Sequence, residues 1–183
     1  MPNAMKPVKD QAIELRVGTL SQLFDTLDPF PFRERDLDPG AEDYIVGWAR
    51  ELPREQPLRI VIHLPHAEAT PHTTEEIRVA FMRYFDYRAD AASRDLKELF
   101  RMGRGFLLVG ACIMAAALTA SQFMPEMSAP PQINRFISES LVLVAWVANW
   151  KPIEIFLYDW WPIVRRRSLY RRLRAAELFA QAY

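Results

Sequence analysis

Three histidines sit close together in the chain: His63, His66 and His72, with Glu68 between them. Imidazoles and a carboxylate are zinc ligands, so a metal-dependent enzyme is one function class to consider. The spacing fits no common ligand pattern, and the proline-flanked stretch from His66 to Pro71 would hold ligands poorly. Solvated or hydrogen-bonded histidines are the expectation, with no metal and no cofactor. Asp25, Asp28, Asp36 and Asp38 form a second acidic group. They lack the glycine and glutamate spacing of a calcium loop, and turn and capping duties explain them. Gly18 and Gly40 are isolated, so no phosphate-cradling loop is expected. No serine elbow and no CxxC occurs, and the single Cys112 lies among small apolar residues where packing is its expected role. No catalytic residue is nominated.

The remaining ionisable candidates lie in apolar sequence. Arg135 and Glu139 are four apart on one helical face and are expected to pair near a membrane boundary. A polar gate facing a helix partner is the sharper reading of the same pair. Lys151 and Glu154 would pair inside a span only if that span continued through Pro152. The expectation is that Pro152 ends or kinks it.

These residues acquire meaning from the elements that carry them. The chain has 183 residues, with 23 basic and 23 acidic side chains. Neutral charge argues against a general nucleic-acid binder. The average hides a partition: residues 1–104 carry a net −3, residues 105–150 contain only Glu126, Arg135 and Glu139, and residues 151–183 carry a net +4. The N-terminal MPNAMKPVKDQ has no apolar core and no cleavage site, so no secretory signal is expected.

Residues 1–70 read as a small α/β unit. Ile13, Leu15 and Val17 alternate with Glu14 and Arg16 as in a half-buried strand. Phe24, Leu27, Phe30 and Phe32 would pin the proline-rich loop that follows to a core. Asp38 before Pro39 predicts a helix start. Ala41, Tyr44, Ile45, Trp48, Ala49 and Leu52 predict one apolar face. Leu58, Ile60, Ile62 and Leu64 predict a second strand, giving a right-handed βαβ crossover. Two strands alone are marginal, so a further helix, a partner chain or a membrane surface must cover them.

Residues 71–104 read as an amphipathic linker helix. Thr73 and Glu76 have capping-box spacing, and Ile77, Phe81, Tyr84, Phe85, Ala92, Leu96, Leu99 and Phe100 form its stripe. GFLLVGACIMAAALTASQFM follows without a charge, long enough at about 1.5 Å per residue to cross a ~30 Å hydrocarbon layer. Ala111, Ala115, Ala116 and Ala120 include small pairs four apart that would allow close helix contact. Pro130 and Pro131 make a tight connection, and residues 133–150 form the second span of a hairpin over 105–150. Arg101 and Arg104 before the first span, and Arg165, Arg166, Arg167, Arg171, Arg172 and Arg174 after the second, put both termini in the cytoplasm.

Residues 151–183 read as an interfacial segment and a basic tail. Trp150, Tyr158, Trp160 and Trp161 suit the headgroup level. Ile153, Phe156, Leu157 and Trp160 would form the buried side of a short helix. Leu169, Leu173, Ala176 and Phe179 predict an amphipathic helix over residues 164–181, with arginines toward anionic lipid headgroups. The fold class expected is α+β: a cytoplasmic βαβ-like unit, a long amphipathic helix, a two-helix transmembrane hairpin and a basic C-terminal helix.

The segments YFDYRADAASRDLKELFRMGRGFLLVG and ESLVLVAWVANWKPIEIFLYDWWPIVRRRSLYRRL resemble a group of uncharacterised bacterial two-span inner-membrane proteins. The likeness covers about residues 75–175, and the WKPIEIFLYDWWP stretch is its specific part. LFDTLDPFPFRERDLD also looks like theirs. The resemblance implies an inner-membrane location and no particular reaction. The function expected is a membrane-anchored binding or scaffold subunit, with the bilayer and a protein partner or second copy as its contacts. A subunit of an oligomeric channel or transporter, and a metal enzyme using His63, His66 and His72, are the alternatives.

Overall fold

The structure, a computed structural model, describes residues 12–25, 36–123 and 130–183. Leu27, Asp28, Phe30, Phe32 and Glu126 lie outside the described residues. The chain is mostly helical, with a small parallel sheet and two long apolar helices. It divides into two compact units: Met1–Ala91 with Arg166–Tyr183, and Ala92–Arg165.

The first unit begins with β1 (Ile13–Arg16), whose Ile13 and Leu15 are buried while Glu14 and Arg16 face out. A 3-10 turn, Leu20–Leu23, follows, and the Glu68 carboxylate accepts its Leu20 N–H at 2.6 Å. Phe24 is buried and bridges Leu37. Helix α1 (Pro39–Glu51) starts as the sequence predicts, with Asp38 accepting from the N–H groups of Gly40 and Ala41. Strand β2 (Arg59–Leu64) then pairs parallel with β1, Ile13 opposite Ile60 and Leu15 opposite Ile62. This is the expected βαβ arrangement.

The cover for these strands comes from far along the chain. Helix α2 (Pro71–Phe123) contributes Ile77, Ala80, Phe81, Tyr84 and Phe85 to the core, and α5 (Trp160–Arg174) contributes Leu169, Tyr170 and Leu173. Residues 177–182 are not helix. They form β3 (Glu177–Ala182), parallel to β2 on its other side, with Ile60 opposite Leu178 and Ile62 opposite Ala180. The predicted helix over 164–181 therefore stops at Arg174. Leu169 and Leu173 occupy the core, and Phe179 lies on a strand with half its surface open. The strand order is β1-β2-β3, and successive crossovers of one hand in one direction place their helices on one face. The buried side chains of the sheet and of α1, α2 and α5 accordingly form one cluster.

Two helices differ in detail from expectation. Helix α2 begins at Pro71, and the Thr70 hydroxyl accepts the Thr73 N–H at 3.1 Å. Thr73 is thus inside the helix, and Glu76 meets His72 rather than closing a capping box. In α1 the buried face is Ile45, Val46, Ala49 and Leu52, while Tyr44 and Trp48 are about half exposed. The face is rotated because Glu42, on the same side as Ile45, Val46 and Ala49, also turns inward.

In the second unit α2 runs on without a break into the uncharged stretch. After the connection come α3 (Pro131–Ala148), α4 (Trp150–Glu154) and a π-helical turn, Ile155–Asp159, which leads into α5. Pro152 does not end the helix. It cannot donate a hydrogen bond to Ala148, and the cost appears as a local tightening at Asn149, whose N–H turns to the Trp146 carbonyl.

Candidate membrane-spanning hairpin

Among the described residues two helices are long and apolar enough to cross a membrane: Pro71–Gln122 and Pro131–Arg174, with best windows of mean hydropathy 1.7 and 1.4. Only 11% and 22% of those windows are buried. A core helix of a soluble domain would be mostly covered. Here Leu108, Phe136, Leu143, Trp146 and Val147 each expose more than half of their surface.

The two apolar helices meet along a seam of small residues. On α2 the buried positions are Gly103, Gly110 and Ala117, each seven apart. On the partner helix they are Ala145, Asn149 and Pro152, four and then three apart, followed by Ile155. Such a repeat keeps one stripe of each helix turned to the other. Gly110 is required by its neighbour: a Cβ there would stand 2.6 Å from the Asn149 amide oxygen and 3.2 Å from the Ala148 carbonyl oxygen. At Gly103 a Cβ would stand 2.9 Å from the Ile155 side chain. The Asn149 amide nitrogen donates to the carbonyls of Gly110, at 3.1 Å, and Ala145, at 2.9 Å. A buried polar group is thereby satisfied across the seam. Ala111, Ala115, Ala116 and Ala120 are not part of this contact; all four are exposed. Cys112 is exposed beside them.

Several charged groups of this unit pair with a near neighbour. Arg135 donates to Glu139 at 2.8 Å. Lys151 donates to Glu154 at 3.1 Å and to Asp159 at 3.2 Å. The π turn lowers the rise per residue and helps Lys151 reach Asp159, eight positions on. The pairing of Lys151 with Glu154 follows from a helix that continues through Pro152. The apolar side predicted for this stretch is also different. Ile155 is buried, while Ile153, Phe156 and Leu157 are exposed, although Phe156 stacks on Phe100. The Trp160 indole donates to the Phe156 carbonyl at 3.0 Å.

The histidines do not converge. His63 stands 3.6 Å from Glu14 on the sheet, and His72 stands 3.4 Å from Glu76. Glu68 is engaged with Leu20. Among the described residues no group of three His, Cys, Asp or Glu side chains could hold a metal ion. Asp38 caps α1, and the N–H of Asp25 donates to the Asp36 carbonyl at 2.8 Å.

One polar constellation in the first unit has no signal of its own in the sequence. Glu42 accepts from Tyr84 at 2.7 Å, from the Arg88 guanidinium at 2.7 and 2.9 Å, and from Tyr170 at 3.2 Å. Arg88 also donates to the Tyr170 hydroxyl and lies over both phenol rings. Burial, then the hydrogen bond to Glu42 and its charge, push the Tyr84 phenol well above its ordinary value. Burial opposes the Arg88 charge, but Tyr84, Glu42 and Tyr170 outweigh it and raise its pKa. The cluster ties α1, α2 and α5 together. Arg174 pairs with Asp86, and Arg172 donates to the carbonyls of Pro53 and Gln56. Two arginines of the basic tail are therefore used inside the unit.

No family model, curated protein or solved structure matches the chain.

Proposed function

We propose that the chain is an integral membrane protein of the bacterial inner membrane. Its hairpin would anchor the α/β unit at the cytoplasmic surface, with both ends on that side, and the unit would act as a binding or scaffold subunit. Tethering raises the local concentration of whatever the unit binds. The observation that carries this reading is the pair of apolar helices, closed on each other by Gly110 and Asn149 and open to their surroundings over most of their surface. Apolar surface on that scale is stable in lipid and costly in water. The exposed basic residues around the hairpin base, such as Arg104, fit the side that retains positive charge and faces anionic headgroups.

The test is to extract the tagged protein from its own membranes in mild detergent and determine the mass and composition of the complex. The reading expects sedimentation with membranes, resistance to alkaline extraction, and a stable heterologous partner that is lost on deletion of residues 1–70 while the hairpin stays in the membrane. A homo-oligomer that conducts ions after reconstitution, with conductance lost in Glu139→Gln, would replace it with the channel reading.

A further inference from the structure

The two edges of the three-stranded sheet are unequal. In β1 the Val17 N–H bonds to His63, so the backbone groups of Glu14 and Arg16 point away from β2. The Glu14 carbonyl is taken by the Tyr44 hydroxyl at 3.2 Å. One outward group of that edge is thereby covered by α1. In β3 the N–H groups of Glu177 and Tyr183 bond to Leu58 and Leu64, so Leu178, Ala180 and Ala182 turn their backbone N–H and C=O groups outward. Among the described residues nothing bonds to those groups.

Edge strands are normally blunted by proline, by lysine, by a bulge or by a covering segment. β3 has none of the first two, and its single charge, Glu177, is at its start and paired with Arg59. Phe179 stands about half exposed in its middle.

We propose that β3 is a homodimer edge, pairing antiparallel with β3 of a second copy to form a continuous six-stranded sheet centred on Ala180. The residues of ELFAQA suit their own reverse. About that centre Leu178 meets Ala182, Phe179 meets Gln181 and Glu177 meets Tyr183. Core-facing positions meet core-facing positions, so the apolar faces of the two sheets align. Like charges never stand opposite each other, and Phe179 gains a cross-strand neighbour. The outward groups of Leu178, Ala180 and Ala182 are those that the register uses. This inference goes beyond the scaffold reading and does not depend on it.

The experiment is the mass of the full-length chain in detergent across a dilution series, for wild type, Ala182→Pro and Ala182→Lys. The Ala182 N–H is outside the intrachain ladder, so proline there removes only the outward donor. The wild type is expected to be dimeric, and each variant to weaken self-association by about tenfold or more. Unchanged thermal unfolding in the variants shows that the fold is retained. A short thiol cross-linker on Gln181→Cys, in a Cys112→Ser background, should join two copies, because diagonal neighbours across such a pair lie about 7–8 Å apart. A wild type that is monomeric throughout, a dimer indifferent to both Ala182 variants, or an edge filled by another protein's strand would overturn the proposal.

Discussion

The first unit conceals its large apolar side chains and the second displays them. Phe85, Ile45, Ile62 and Ile77 are wholly buried in the first. In the second, the seam is made of glycine, alanine, asparagine and proline with the single large residue Ile155, while leucine, valine, phenylalanine and tryptophan face outward. In water the cohesive force is burial of apolar area, so the largest side chains go inside. In lipid that force is absent between helices, and close backbone approach with satisfied polar groups takes its place. The two units thus show the side-chain distributions expected of two different solvents.

That contrast can be broken by exchanging what each unit depends on. The largest effect is expected from Phe85→Ala, which empties a site walled by Phe81, Tyr84 and Tyr170. It should cost the first unit about 3–5 kcal/mol, read as a loss of protease resistance in residues 12–91. Next is Gly110→Leu, which cannot fit against Asn149 and should destabilise the hairpin by about 1–3 kcal/mol or more. Gly105→Leu is its control, since a Cβ there meets nothing within 4 Å and thermal stability in detergent should not change. Glu42→Gln leaves Arg88 without its carboxylate partner. It should cost about 1–3 kcal/mol, measured by thermal unfolding.

Smaller effects sharpen the comparison. The Tyr84 phenol has a raised pKa in the folded chain, so its contribution is complete below the unfolded value of about 10 and is lost as pH climbs above it. Stability of the first unit should therefore fall in alkali, and Tyr84→Phe should reduce that slope in a pH-dependent unfolding series. Arg135→Gln is expected to change stability by less than about 1 kcal/mol, because both partners of the Glu139 pair are well exposed. A larger change would mean that the pair is covered by protein and not by solvent or headgroups.

Much of the first unit could be read from local pattern. Alternation in Ile13–Arg16 and Arg59–Leu64, and the Asp38-Pro39 start, report directly on backbone geometry. β3 could not be read this way. Ala, Glu, Leu and Gln favour helix, and Leu169, Leu173 and Ala176 continue a helical period, so local preference points away from strand. What makes ELFAQA a strand is the free side of β2, a tertiary fact. The position of Glu42 is hidden for a similar reason. A lone carboxylate on a helix looks solvent-facing until Tyr84, Arg88 and Tyr170 arrive from α2 and α5. In the hairpin, four-apart alanines suggested the contact, whereas glycines seven apart make it. The signal was present in Gly103, Gly110 and Ala117, but only the Asn149 partner distinguishes the two stripes.

The central claim is that the hairpin crosses a membrane and returns. It is tested most directly by labelling single cysteines in sealed vesicles of known orientation with a membrane-impermeant maleimide. In a Cys112→Ser background, Glu55→Cys and Asp95→Cys should label only from the cytoplasmic face, and Gln132→Cys only from the opposite face. Cys112 in the wild type should stay unlabelled until detergent is added. Labelling of Gln132→Cys from the same face as Glu55→Cys, or of Cys112 in intact vesicles, would contradict the account.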